Sequence, residues 1–297
     1  MPRILVATED GLHAFDERGS AGDVQLTGRS VTAVMRDGPQ LWTILDGTEV
    51  WHAPEAEWAE IAGLEGRTAT CIAMTDALLV GTSDARLFRL AGTELEPLDG
   101  FDRAAGRADW YTPWGGPPDT RSITEWDDDV FVNVHVGGIL HTNDHGETWT
   151  PTIDIDADVH QVAITQDLVL AACAGGLATS ADRGSTWAMR SDGLDAPYSR
   201  SVVVCGDAVL VSASSGPRGG RAAIYRGDLA GGAFERCTTE WFEDNIDTYC
   251  LDALNDGSFA AFGTSDGHLF ASDDGGSSWS ELASGLPAVT HVLVVPT

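Results

Sequence analysis

Three short stretches decide how this chain folds: "TNDHGETW" at residues 142–149, "SADRGSTW" at 180–187 and "SDDGGSSW" at 272–279. Each stretch has a hydroxyl residue first, an Asp two positions later, a Gly two positions after that and a Trp at the end. An Asp in this setting suits a catalytic acid, a metal ligand or a group that stabilises a turn. The spacing between the copies helps to separate these roles.

The copies recur at a regular interval of about 40 residues, a length found in propeller repeats. Asp182 follows Asp144 after one such interval, and Asp274 follows Asp182 after slightly more than two. Midway between the last two, "YRGDLAGGAF" is a weaker copy that has Asp228, with Phe in place of Trp, and "VWHAPEAEW" keeps only Trp58. A repeat of this length made of short β-branched runs is typical of a β-propeller.

Seven central hairpins can be read along the chain. They are "LVATEDGLHAF", "LWTILDGTEVW", "LLVGTSDARLF", "VFVNVHVGGILHT", "LVLAACAGGLATS", "VLVSASSGPRGGRAAIY" and "FAAFGTSDGHLFAS". The chain starts at a second-strand pattern, "ILVAT", and ends with a first-strand pattern, "VTHVLVV", so we expect the C-terminal strand to pair into the N-terminal blade and close the ring. The sequence therefore predicts an all-β, seven-bladed propeller forming a single domain over residues 1–297, with six blades as the alternative.

Charge limits the classes of partner. The formal net charge is −29, and all 17 basic residues are Arg, because the chain contains no Lys. A surface this acidic repels nucleic acid and anionic lipid, so we expect neither as a partner. The sequence contains no signal-peptide pattern and no apolar run long enough to span a bilayer, so we expect a cytoplasmic location. The composition resembles that of cytosolic proteins from salt-accumulating halophiles, with an ordinary acidic protein as the alternative.

The five cysteines predict neither a disulfide framework nor a metal site. They are odd in number and contain no CxxC pair, and three of them fall in strand-like segments where a small buried apolar residue is the usual explanation. No other set of residues has the spacing of metal ligands. We therefore expect no metal and no cofactor.

The pattern S/T-x-D-x-G-x-T/S-W resembles the Asp box of the bacterial neuraminidase repeat (BNR) family of propellers. The resemblance implies that each box lies on the turn between the third and fourth strands of a blade, away from the face that carries ligand sites. There the Asp accepts backbone N–H bonds, the Gly supplies a positive φ and the Trp packs between blades. The residues with this expected structural role are Asp144, Trp149, Asp182, Trp187, Asp274 and Trp279.

The candidate binding residues precede or begin the innermost strands. Four of these segments have Arg followed by Ser or Thr, and a fifth has a His close to the equivalent position; the residues are Arg29, Arg67, Arg121, Arg200 and His160. Because equivalent positions in successive blades surround one axis, they predict a ring of cations at the channel mouth that binds a carboxylate, a phosphate or an acidic protein segment. The alternative is that each Arg pairs with a neighbouring acid and the pattern reflects only repeat ancestry.

An insertion adds aromatic residues beside this mouth. The step from Arg67 to Arg121 is longer by nearly half than the step from Arg29 to Arg67, and the extra length contains Trp110, Tyr111 and Trp114. A rigid aromatic loop suits a sugar platform or a protein hot spot. The alternative is a loop that only caps the channel.

The family resemblance also raises sialidase activity. Sialidases use three arginines on the substrate carboxylate, a Tyr nucleophile assisted by a Glu, an acid/base Asp and an Arg-Ile-Pro signature. Here the signature becomes Arg3-Ile4-Leu5, and none of the four tyrosines can be matched with a Glu by spacing. We therefore predict no catalytic residues and a non-catalytic scaffold that resembles the photosystem II assembly-factor propellers. The alternative is a glycoside hydrolase or lyase that acts on an anionic sugar.

Overall fold

The computed structural model describes residues 2–55, 57–113, 115–165 and 167–296. In this part of the chain 27 β-strands form seven sheets, six of four strands and one of three. Each four-stranded sheet uses four consecutive strands that lie side by side in chain order, which is the construction of a propeller blade. The structure confirms the all-β, seven-bladed propeller, and each sheet contains one of the seven hairpins read from the sequence.

The first four sheets contain fifteen strands. Sheet 1 is β1 (Arg3–Thr8), β2 (Gly11–Asp16) and the C-terminal β27 (Val289–Val295); sheet 2 is β3 (Val31–Asp37), β4 (Gln40–Leu45), β5 (Glu49–Ala53) and β6 (Ala59–Gly63). Sheet 3 is β7 (Ala69–Met74), β8 (Leu78–Thr82), β9 (Leu87–Ala91) and β10 (Glu94–Pro97). Sheet 4 is β11 (Thr120–Trp126), β12 (Asp129–Val134), β13 (Gly138–Thr142) and β14 (Thr150–Pro151).

Three further sheets and three short helices complete the described elements. Sheet 5 is β15 (Val159–Ile164), β16 (Val169–Cys173), β17 (Gly176–Ser180) and β18 (Ala188–Arg190); sheet 6 is β19 (Tyr198–Cys205), β20 (Ala208–Ser214), β21 (Ala223–Asp228) and β22 (Gly231–Arg236). Sheet 7 is β23 (Leu251–Ala253), β24 (Ala260–Gly263), β25 (Leu269–Ser272) and β26 (Ser280–Ala283). The helices are α1 (Asp99–Asp102) and two 3-10 turns, Arg107–Asp109 and Ile155–Ala157. No described helix has the length and apolar character needed to cross a bilayer.

Sheet 1 is closed by the C-terminal strand, as predicted. β27 pairs antiparallel with β1, so that Val292 lies opposite Val6, and β2 pairs with the other edge of β1. In place of a fourth strand, two isolated bridges join β2 to Ala21 and Gln25. Both edges of β1 are therefore hydrogen-bonded, and its apolar residues from Ile4 to Ala7 are buried.

The chain divides into two compact units. The first unit contains residues 1–31, 171–178 and 189–297, and the second contains 32–170 and 179–188. In the core of the first unit Phe262 stacks on Phe270, with 4.8 Å between ring centroids, and meets the edge of Trp279 at 4.9 Å. The single domain expected over 1–297 stays a prediction.

The second unit has a core of its own, which includes Ile44, Val50, Val80 and Phe88. The chain's cysteines are free thiols; four are buried and Cys237 is half-buried. Burial raises the pKa of the Cys71 thiol to about 12, so this residue behaves as a small apolar side chain.

Candidate functional site

The Asp-box carboxylates are occupied by bonds within their own turns. Asp144 accepts hydrogen bonds from the Thr142 hydroxyl (2.7 Å), the Thr148 amide (3.0 Å) and the Thr148 hydroxyl (2.6 Å). The Thr148 and Thr142 bonds lower the pKa of Asp144 to about 2. Asp182 and Asp274 accept the same three bonds at distances between 2.6 and 2.9 Å.

The Gly and Trp of each box complete the turn between the third and fourth strands. Gly146, Gly184 and Gly276 have φ values of 84°, 84° and 81°, in the region that favours glycine. The indole N–H of Trp149 donates to the Gly146 carbonyl at 3.1 Å, Trp279 does the same to Gly276, and Trp187 donates to the Thr152 carbonyl at 2.8 Å. With their oxygens used in this way, the three Asp residues are suited to stabilising turns rather than to chemistry.

In the second unit, the first candidate cation is paired with an acid. Arg67 Nε lies 3.2 Å from Asp84 Oδ2, in the turn between β8 and β9, and its guanidinium lies 5.6 Å from the centre of the Phe88 ring. Asp84 also accepts a 2.6 Å bond from the Thr82 hydroxyl. Burial alone would raise the pKa of Asp84, but these partners outweigh it and lower the pKa.

Arg121 has an equivalent arrangement in sheet 4. Its Nε lies 3.0 Å from Asp119 Oδ2, while Asp119 Oδ1 lies 3.3 Å from His135 Nδ1 in the turn between β12 and β13. Burial opposes ionisation of Asp119, yet the His135 hydrogen bond and the Arg121 charge hold its pKa at about 2. The side chain of Arg121 is only 18% exposed, so little of this cation is left for a ligand.

His160 lies in β15, next to this arrangement in the same unit. It is fully buried, its Nε2 is 3.6 Å from Asp158 Oδ1, and its ring centroid is 5.8 Å from that of His135. The contact with His135 and Asp158 was not predicted from the sequence. A weak signal existed in "DADVH", which places an acid two residues before a His at the start of a strand.

In the first unit, Arg200 is held by both side-chain and backbone groups. Its Nη1 donates to Asp247 Oδ1 at 2.8 Å, its Nη2 donates to the Pro217 carbonyl at 3.2 Å, and the guanidinium lies over the Tyr198 ring. Arg29 lies just before β3, and its carbonyl accepts the Gly11 amide at 2.8 Å.

Arg67, Arg121 and Arg200 thus each have a carboxylate partner, as the alternative interpretation expected. Arg29 and Arg200 belong to the first unit, and Arg67, Arg121 and His160 belong to the second. A common ring of all five residues therefore stays a prediction.

A cavity of ≈ 350 Å³ lies beside Arg200 in the first unit. Its polar lining includes Arg200, Arg218, Asp244, Asn245, Asp247 and Ser265. Arg218 is exposed, and the described residues give it no ion pair or hydrogen bond. Arg218 was missed by the sequence analysis, although the hairpin that contains it, "VLVSASSGPRGGRAAIY", is visibly longer than the other six.

The candidate aromatic residues differ in exposure. Trp110 is half-buried, 6.0 Å from Phe101 and 4.8 Å from the Arg107 guanidinium, so its ring packs within the inserted loop. Tyr111 is 45% exposed, and its hydroxyl reaches Asp156 at 3.4 Å. Trp114 lies outside the described residues. Among the candidates described, Tyr111 alone presents a large part of its surface to solvent.

Two features bear on the sialidase alternative. Ile4 of the Arg3-Ile4-Leu5 sequence is fully buried within β1. The Tyr225 hydroxyl lies 3.2 Å from Asp195 Oδ2, and burial together with this carboxylate raises the pKa of Tyr225 to about 12. A phenol with so high a pKa is a poor nucleophile.

Comparisons with known proteins show the fold alone. No family model and no curated protein matches the sequence. Among solved structures the chain is similar to the computationally designed Ika8 protein (14% identity, TM-score 0.61, covering 97% of this chain and 86% of that one). It is also similar to the WD40 repeats of RRP9, with 10% identity and a TM-score of 0.62 over 88% of this chain and 82% of that one. A third similar structure is the GH74 enzyme of Niastella koreensis, with 11% identity and a TM-score of 0.61 over 93% of this chain. The match covers 46% of that enzyme, so this chain spans less than half of its length. Because enzymes and non-enzymes both appear at such low identity, these similarities establish the propeller fold and do not assign a role.

Proposed function

We propose that this protein is a non-catalytic binding module that holds an anionic group at the cavity beside Arg200 and Arg218. The anion is the carboxylate or phosphate of a small ligand or the acidic segment of a partner protein. The observation that supports this most strongly is Arg218, an exposed cation with no acidic partner among the described residues, in a chain of net charge −29. In a chain with 46 acidic residues and 17 arginines, an exposed guanidinium gives an anion a local attraction that the rest of the acidic surface opposes.

Hydrogen bonds hold the groups that surround Arg218 in defined positions. Arg200 is oriented by Asp247 and the Pro217 carbonyl, and Asn245 Nδ2 donates to the Pro217 carbonyl at 3.3 Å. Both terminal nitrogens of Arg200 are engaged in these bonds, so Arg200 adds a fixed positive charge beside the cavity. The direct contact with the anion falls to Arg218, whose planar guanidinium can bind a carboxylate or phosphate with two parallel hydrogen bonds.

The two acids of the cavity shape the choice of ligand. Asp247 is paired with Arg200, and Asp244 accepts the Ser265 hydroxyl at 2.7 Å. The cavity thus offers one available cation beside carboxylate oxygens that accept hydrogen bonds. This lining fits a ligand that has one anionic group and several hydroxyl or amide donors, such as an acidic sugar or a peptide with an acidic side chain.

The test is ligand-dependent thermal unfolding in molar KCl, repeated at lower salt because salt screens anion binding. The ligands are sialic acid, glucuronic acid, phosphate and a short poly-Glu peptide, each tested with wild type, Arg218→Gln, Arg200→Gln and the control Arg103→Gln. Arg103 is an exposed arginine of the second unit. A ligand at 100 times its dissociation constant stabilises the folded state by about 2.7 kcal/mol.

We expect the stabilisation to disappear in Arg218→Gln and to persist in Arg103→Gln. Stabilisation that is equal in all variants would place the anion elsewhere and contradict the proposal. Turnover of a bound sugar glycoside that is lost in Arg218→Gln would instead support the glycosidase or lyase alternative.

A further inference from the structure

The second unit contains a second polar cluster, distinct from the anion cavity. His135 lies in the turn between β12 and β13, Asp158 follows the 3-10 turn Ile155–Ala157, and His160 is the second residue of β15. Their ligating atoms all lie within 4.8 Å of one another. We propose that His135, Asp158 and His160 bind a divalent transition metal, with Zn²⁺ as the best fit, and that Asp119 positions His135.

The distances suit a tetrahedral ion. Asp158 Oδ1 lies 3.1 Å from His135 Nε2 and 3.6 Å from His160 Nε2. Four donors at about 2.1 Å from Zn²⁺ lie about 3.4 Å from one another in a tetrahedral site. The two observed separations from Asp158 bracket this value, and all three donors lie within 4.8 Å of one another, so side-chain rotation that closes the space between the two histidines would complete the coordination of one ion.

The hydrogen bond behind His135 sets its tautomer. His135 Nδ1 lies 3.3 Å from Asp119 Oδ1, and a carboxylate at that position accepts the Nδ1 proton. The Nε2 lone pair then points away from Asp119, on the side where Asp158 Oδ1 lies 3.1 Å distant. Two lone pairs at this separation repel unless a cation lies between them. A metal-bound histidine whose other nitrogen donates to a carboxylate is the usual arrangement in metal sites.

One oxygen of the Asp158 carboxylate needs a hydrogen-bond donor or a cation. Its Oδ1 is buried from solvent, and no aligned hydrogen bond reaches that oxygen from any described residue. The contact with His135 therefore has the distance of a hydrogen bond without its geometry. A buried carboxylate oxygen is costly unless it has a hydrogen-bond donor or a cation.

The donor set and the charge favour zinc over the hard cations. Imidazole nitrogen suits Zn²⁺ and similar transition metals, whereas Mg²⁺ and Ca²⁺ prefer oxygen ligands throughout. Arg121 compensates the charge of Asp119, which leaves one carboxylate and two neutral imidazoles for a divalent ion. His135 and His160 are 3% and 0% exposed, so their rings are shielded from bulk solvent, while Asp158, with 26% of its side chain exposed, lies at the edge of the site.

The competing arrangement is a proton in place of the metal. Burial lowers the pKa of His135, but the carboxylates of Asp119 and Asp158 outweigh burial and raise it. An imidazolium between two carboxylates would satisfy the same oxygens. The experiment must therefore separate metal uptake from protonation.

The test is calorimetric titration of untagged, chelator-treated protein with Zn²⁺ at neutral pH in the presence of excess Mg²⁺. We expect one equivalent to bind, with affinity lowered at least 100-fold in Asp158→Asn and His135→Gln and about 10- to 100-fold in Asp119→Asn. The matched control is His141→Gln, since His141 contacts the single carboxylate Asp129 and lies outside the cluster.

Substitution with Co²⁺ gives an independent readout on the unaltered protein, because a tetrahedral Co²⁺ site absorbs strongly in the visible range. This measurement decides the question even where a variant fails to fold, which circular dichroism would reveal. Absence of stoichiometric uptake by the wild type would overturn the proposal in favour of the proton. Equal Zn²⁺ affinity in wild type and folded Asp158→Asn would overturn it as well.

Discussion

Asp252 connects the closing strand to the acid–base behaviour of the protein. It lies in β23, and its Oδ2 accepts the backbone N–H of Val294 in β27 at 2.6 Å. Burial raises the pKa of Asp252 to about 7, and the hydrogen bonds from Val294 and Ala253 only partly oppose this effect. The carboxyl group that binds the C-terminal strand is therefore half-protonated near neutral pH.

The sign of the effect on stability follows from where the proton binds. Between pH 3.8, the value for an unperturbed Asp, and about 7, the folded state keeps a proton that the unfolded state releases. Stability falls as pH rises through this interval, by about 1.4 kcal/mol per pH unit for full burial. Since the side chain retains some exposure, we expect a total of about 2–4 kcal/mol.

Asp252→Asn keeps an oxygen that accepts the Val294 bond and removes the ionisable group. We expect the variant to match wild type near pH 4 and to exceed it in free energy of unfolding by about 2–4 kcal/mol at pH 8. His291 contributes a pH dependence of stability with the opposite sign to that of Asp252. Burial lowers the pKa of His291 to about 3, so this residue adds stability as pH rises towards 6.5. The two slopes oppose each other in wild type, and Asp252→Asn removes one of them.

The assay is urea unfolding in molar KCl from pH 4 to pH 8. The control is Asp273→Asn, which removes an exposed carboxylate from the same unit. We expect the control to follow the wild-type pH dependence with a constant offset. A free-energy difference between Asp252→Asn and wild type that does not change with pH would refute the reasoning, as would a variant less stable than wild type at pH 8.

Three further predictions concern the fold. Deletion of 289–297 removes the partner of β1, so we expect the truncated chain to unfold or aggregate; a melting temperature equal to wild type would contradict the closure. Gly276→Ala places a methyl group against Leu210 at a positive φ, whereas Gly275→Ala, also at positive φ, meets only a backbone oxygen at 3.8 Å. We expect chemical denaturation to show a loss of about 2–4 kcal/mol for the first and about 1 kcal/mol for the second, and equal losses would exclude a packing effect at Gly276. With a net charge of −29, unfolding midpoints should rise from about 0.1 M to molar KCl; midpoints independent of salt would argue against halophilic adaptation.

Turns and strands were accessible from the sequence because their determinants are local. In each Asp box the hydrogen bonds to the carboxylate join residues no more than four positions apart, as between Asp144 and Thr148, so the same short pattern produces the same turn wherever it occurs. The period of these turns and the alternating apolar runs then determine seven hairpins. Strand closure also followed from the pattern, since an unpaired first strand and a surplus last strand satisfy each other.

The partner of each polar side chain in the loops was decided only by the tertiary structure. Arg121 pairs with an acid just before it in the chain, Arg67 with one in the turn between β8 and β9, and Arg200 with one in a distant loop, although all three begin the same short motif. The sequence predicted that arginines would gather at these positions and left open whether acids would neutralise them. Loop conformation settles that question, because an ion pair depends on a few ångströms of side-chain reach that no repeat period encodes.

The polar cluster of His135, Asp158 and His160 is the clearest case of side chains whose proximity could not be predicted from the sequence. His135 comes from a hairpin turn, while Asp158 and His160 come from the start of the next sheet, and no spacing rule connects a hairpin turn with the first strand of the sheet that follows it. The sequence alone determined the seven-bladed β-architecture, through local turn chemistry and a repeated apolar pattern. The folded structure alone decided which ionisable side chains share a buried space, because that depends on how successive sheets pack against one another.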